Sequence, residues 1–98
     1  MSIEYYRDAV AGGWLKISEH GRRRMRQRKV NLALACSVIL RGKICKIEDF
    51  FMVIGWRSIY VAVGTKNGQP EIVTVWRDRG AAHYQKFVKE QHEQSTFE

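Results

Sequence analysis

His20, Arg24 and Arg28 recur at i, i+4 and i+8 within the segment Ser18 to Asn31, which reads Ser-Glu-His-Gly-Arg-Arg-Arg-Met-Arg-Gln-Arg-Lys-Val-Asn. On a helix this spacing lines three side chains along one face. An imidazole supplies a base near neutral pH, and guanidiniums stabilise the added negative charge of a pentavalent phosphate. The set therefore points to phosphate chemistry, or to phosphate binding without chemistry. Arg23 and Gln27 border the stripe, while Arg22, Arg26 and Lys29 lie round the other side, so cations surround most of the helix. Each like-charge pair at this spacing opposes the helix by roughly 0.2–0.5 kcal/mol, which suits a helix that meets counter-charge.

The complementary part is the late segment Ile72-Val73-Thr74-Val75-Trp76-Arg77. Strand alternation puts Ile72, Thr74 and Trp76 on one face and Val73, Val75 and Arg77 on the other. Thr74 is polar among apolar neighbours; it serves either as a β-favouring packing residue or as a hydroxyl donor to a phosphate. Trp56 and Trp76 are core residues in one reading and stacking platforms for an unpaired base in another.

Charge is local in this chain. Residues 14–46 hold ten Lys or Arg against one acid, Glu19, whereas the whole chain carries +7, with a pI near 9.8. An anionic partner follows, with nucleic acid ahead of an acidic protein or an anionic surface. With 98 residues and 45% hydrophobic content, the chain makes one domain with a single modest core. Its start, Met-Ser-Ile-Glu-Tyr-Tyr-Arg-Asp, has neither the basic opening nor the apolar run of a signal peptide. No uninterrupted apolar stretch is long enough to span a bilayer, so the chain reads as cytoplasmic and free of membrane. Cys36 and Cys45 have apolar neighbours and no metal-ligand spacing; they read as buried free thiols, and no metal or cofactor is implied.

The elements that must position these residues follow from pattern. Ser2 caps a helix to about Val10, stopped at Gly12-Gly13. Trp14 to Ile17 is a connector or short strand. Ser18 caps the basic helix to about Arg28, with Glu19 in its first turn and a thin apolar stripe of Gly21 and Met25. Asn31 caps a third helix, carried by Leu32, Ala35, Cys36, Ile39 and Leu40 and stopped at Gly42. Ile44–Phe51, Met52–Arg57, Ser58–Val63 and Glu71–Arg77 read as strands, with Asn67-Gly68 as a hairpin turn. Ala81 to about Gln94 has helical composition. The expectation is an α+β domain: a basic helical part over about 1–42, a twisted four-stranded antiparallel sheet over about 44–77, and a C-terminal helix over about 81–94.

The pattern Ile17-Ser18-x-His20-x-x-x-Arg24-Met25-x-x-Arg28-x-Val30-Asn31, followed by a helix ending at Gly42 and the strand Ile72-Val73-Thr74-Val75, resembles the bacterial and phage family known as domain of unknown function 4258. That family's helix typically reads Ser-x-His-Ala-x-x-Arg-Met-x-x-Arg-Gly-Ile-Ser. The resemblance spans about residues 15–77, and the family in turn resembles the small metal-independent ribonuclease toxins that include RelE and BrnT. It implies helices packed across an antiparallel sheet, RNA as substrate, and an acidic antitoxin or immunity protein as a further partner. Carried over, the motif makes His20, Arg24, Arg28 and Thr74 catalytic candidates and Met25 a packing residue. Arg22, Arg23, Arg26, Lys29 and Arg77 are left as nucleic-acid contacts. The chain departs from the pattern at Gly21, where the family often has Ala, and at Lys29, where it often has Gly.

Two functional expectations result. In the first, a toxin-type endoribonuclease uses His20 as base toward the ribose 2′-hydroxyl or acid toward the leaving 5′-oxygen, while Arg24, Arg28 and Thr74 hold the phosphate. In the second, a non-catalytic phage or mobile-element protein grips nucleic acid or an acidic host protein with the same helix, and its affinity falls steeply with salt.

Overall fold

The computed structural model of the chain describes residues 2–77. Three helices, α1 (Ile3–Gly12), α2 (Glu19–Gln27) and α3 (Leu32–Arg41), precede most of the sheet. The strands are β1 (Lys16–Ile17), β2 (Lys43–Ile47), β3 (Phe51–Trp56), β4 (Ile59–Lys66) and β5 (Gln69–Arg77). The class is α+β, but the expected four-stranded antiparallel sheet is corrected to a five-stranded mixed sheet of order β1-β5-β4-β3-β2. The added strand is β1, which pairs in parallel with β5 through Lys16 opposite Glu71 and Ile17 opposite Ile72. Two residues carry almost no propensity signal, and a parallel partner so distant in sequence leaves no hairpin turn to read. The expected helix over about 81–94 lies outside the described residues.

Local chemistry explains both ends of α2. Ser18 Oγ accepts from the Gly21 amide at 2.9 Å, as an N-cap should, and donates to the Val73 carbonyl at 3.1 Å, fastening the helix start to β5. At the other end the Val30 amide reaches the Met25 carbonyl (2.9 Å) and the Lys29 amide reaches that of Arg26 (3.4 Å). These two bonds make a Schellman closure, with Lys29 left-handed at φ 55° and Met25 and Val30 both in the core. Asn31 Oδ1 then caps α3 by accepting from the Leu34 amide at 2.8 Å. The expected cap at Ser2 makes no side-chain bond, whereas α1 does stop at the expected glycines, with Gly13 left-handed at φ 75°.

The helices pack one face of the sheet. Tyr6, Met25, Val30, Ala35, Val38 and Ile39 meet Met52, Ile54, Val61, Val63, Ile72 and Val75 in a single cluster. A second cluster, Val53, Tyr60 and Ala62 with Val73 and Trp76 against it, belongs to the opposite face. The expected alternation of β5 is corrected here. Ala62 pairs with Thr74 and the next residue, Val63, pairs with Ile72, so Val73 is an extra residue in the ladder. This bulge puts Ile72 and Val75 together on the helix side and turns Val73 and Trp76 away.

The strand boundaries are also corrected at the hairpin between β3 and β4. Arg57 and Ser58, expected to end one strand and begin the next, form the two-residue turn between β3 and β4 at φ 50° and 63°. The expected turn at Asn67-Gly68 has the same form, at φ 53° and 75°.

Candidate nucleic-acid interface

α2 lies along β5 beyond the point where β1 stops, with Gly21 and Met25 buried and the rest of its circumference open or half-open. His20, Arg22, Arg23, Arg26 and Lys29 are exposed; Arg24 and Arg28 are half-buried. On the outer stripe Arg24 Nε donates toward His20 Nε2 at 3.5 Å, and Arg24 Nη1 donates to Gln27 Oε1 at 3.0 Å. The expected pairing of His20 with Arg24 is therefore formed, one helical turn apart.

Arg28 is placed differently. Its guanidinium donates to the Val75 carbonyl on the edge of β5, and burial, together with the charge of Arg24, holds it below the ordinary arginine value. Arg77 folds back in the same way: its Nε donates to the Arg28 carbonyl at 2.9 Å and its Nη2 to the Lys29 carbonyl at 2.7 Å. A guanidinium on the last carbonyls of a helix is favourably placed against the helix dipole. Both residues, read from sequence as phosphate ligands, have donors committed to the fold. Thr74, paired with Ala62, stands on the sheet face away from the helices and is not brought to His20 and Arg24.

What remains is an open cationic surface. Among the described residues the ion pairs are Glu4 with Arg7 and Lys46 with Glu48, so none neutralises α2. The inner flank carries a feature sequence reasoning missed, a groove of about 580 Å³ floored by Ile17, Met25, Val30 and Leu32 and edged by Arg22, Arg26 and Lys29. Its one legible signal was Leu32, an apolar residue at the very start of α3, where half of its surface stays exposed (50%).

Neither Trp56 nor Trp76 offers two free faces to a base. Trp76 stacks on Tyr60, with ring centres 5.6 Å apart and planes 20° apart. Trp56 lies under the guanidinium of Arg57 at 4.4 Å and near that of Arg41 at 5.7 Å. No cluster of three or more His, Cys, Asp or Glu among the described residues could hold a metal ion, and none of their helices is long and apolar enough to cross a membrane. Compared with protein-family models, curated proteins and solved structures, the chain has no match in any of the three.

Proposed function

We propose that this protein binds RNA through α2 and belongs to the small toxin-like ribonuclease type that its helix motif resembles. The observation that carries the binding reading is a helix and C-terminal flank with four exposed cations, Arg22, Arg23, Arg26 and Lys29, beside the half-buried Arg24, none of them neutralised by a carboxylate among the described residues. Such a surface gains by releasing counterions from a phosphate backbone. The choice of RNA over other polyanions comes from the resemblance.

Cleavage of the bound strand is supported by the His20–Arg24 pair. In that step Arg24 turns its donors from His20 to a non-bridging phosphate oxygen, which frees the lone pair of His20 Nε2 to take the proton of the ribose 2′-hydroxyl. That oxygen attacks phosphorus, the bond to the 5′-oxygen breaks, and the products are a 2′,3′-cyclic phosphate and a 5′-hydroxyl that takes its proton from solvent. With Arg28 bonded to the Val75 carbonyl and Thr74 on the opposite face of the sheet, this site is smaller than the sequence suggests. The test is incubation of wild type, His20→Ala and Arg24→Ala with total RNA in EDTA, followed by end analysis. Cyclic phosphate ends lost in both variants support cleavage; intact RNA that is still bound, with salt-sensitive affinity, reduces the protein to a binding module.

A further inference from the structure

The turn between β3 and β4 holds two residues other than glycine, Arg57 and Ser58, in left-handed conformation. That geometry is disfavoured for L residues and strongly prefers Asn-Gly. The same chain uses Asn67-Gly68 for the same geometry at its next hairpin. Strain kept at one turn and avoided at its neighbour points to the side chains it positions. Here it sets the Arg57 guanidinium 4.4 Å over the ring of Trp56, with that of Arg41 at 5.7 Å. Lys43 joins them around a concavity of about 310 Å³. An aromatic face orders guanidiniums without neutralising them. Arg41, Lys43, Arg57 and Ser58 are all exposed, and no ion pair of the described residues reaches any of the three cations.

We infer that Arg41, Lys43 and Arg57, gathered around Trp56, form a second phosphate-binding site that holds the same RNA strand as α2. The inference rests on the reading of α2 as an RNA surface. The register connects the two. Ile59 pairs with both Trp56 and Arg77, so the hairpin and the end of β5 share one end of the sheet. Arg77 in turn caps α2 at Arg28 and Lys29. Two strand spacings, roughly 10 Å, separate β3 from β5, a span within the reach of a site for about four or more nucleotides. The strand then crosses the sheet end from α2 to the hairpin, its phosphates meeting cations at both ends.

The test is fluorescence-anisotropy binding of a dodecameric 2′-O-methyl oligouridylate, which cannot be cleaved through its 2′-oxygen, over a potassium chloride series. The Arg57→Asn/Ser58→Gly double variant removes the charge and installs the unstrained turn. It should melt higher than wild type yet bind about fivefold more weakly, with a salt slope smaller by about 1. Arg57→Lys/Ser58→Gly should recover the slope. Higher melting with wild-type affinity and slope overturns the second site. If Arg24→Ala weakens binding and the hairpin variant does not, the α2 reading stands and this inference falls; the reverse result removes the α2 reading and, with it, the strand shared between the two sites. Wild-type protein that fails to bind in low salt overturns both.

Discussion

The guanidinium of Arg28 donates to the main-chain oxygen of Val75, on the stretch of β5 edge that β1 does not reach. An open strand edge invites pairing with other chains, and here a helix closes it with side chains. Ser18 takes the Val73 carbonyl and Arg28 takes that of Val75, so α2 substitutes for a missing strand. The basic helix therefore has an edge-sealing stripe and a cationic surface on the same nine residues and their flanks.

Arg28→Ala should lower the unfolding free energy by about 1–2 kcal/mol, since it leaves a partly buried carbonyl without its charged donor. Arg24→Ala, on the exposed stripe, should cost under about 0.5 kcal/mol. Urea denaturation of both variants separates the roles. Equal small losses would remove Arg28 from the fold and return it to the list of phosphate ligands.

Gly21 sets how closely α2 approaches the sheet. A Cβ there would stand 2.7 Å from the Ile72 carbonyl oxygen and 3.0 Å from Ser18 Oγ. That carbonyl is already held as the acceptor of the Ser18 amide at 3.0 Å. Gly21→Ala gains helix propensity worth about 1 kcal/mol but meets backbone, so the variant should be less stable by about 1 kcal/mol overall. A rise in melting temperature would mean that α2 can move off β5.

The features legible in the sequence were those whose partners are close in the chain. The Ser18 and Asn31 caps each involve an amide three residues on, and Asn67-Gly68 is a turn by its own chemistry. The Arg57-Ser58 turn escaped because it lacks the Asn-Gly signature, and most of the rest depends on distant partners. Arg28 and Arg77 find main-chain oxygens 47 to 49 residues away, and nothing in a run of arginines separates those that bind carbonyls from those left to bind phosphate. Thr74 enters the site through the family resemblance, and the strict alternation that groups it with Ile72 is broken by the bulge at Val73. The His20–Arg24 pair was legible because helical spacing alone sets it.

Tyr6 predicts the alkaline limit of stability. Burial pushes its phenol above the ordinary value; a hydrogen bond with Thr65 offsets part of this, and Tyr5 adds to the rise. The fold thus favours the protonated ring. Its contribution is complete below the unfolded value of about pH 10 and is lost as pH rises through the higher folded value. Denaturation midpoints taken from about pH 9 to pH 11 should fall, and the fall should be shallower in Tyr6→Phe, after that variant's constant loss of about 1 kcal/mol for the Thr65 bond. Parallel curves for the two proteins would assign the alkaline loss to other groups.

Lys29 occupies the left-handed position of the α2 closure at φ 55°, where glycine has no side-chain penalty. Lys29→Gly should raise stability by about 0.5–1 kcal/mol, the relief of a left-handed side chain less the entropy that glycine adds to the unfolded chain. The Arg77 bonds end on the carbonyls of Arg28 and Lys29, which the substitution retains. The same variant loses one exposed cation, so under the proposed reading of α2 its affinity for RNA should depend less on salt, with a slope smaller by about 1. Thermal melts and a salt series on one protein read both effects. Greater stability with an unchanged slope would leave Lys29 outside the RNA footprint and confine that footprint to the outer stripe of His20, Arg23 and Arg24.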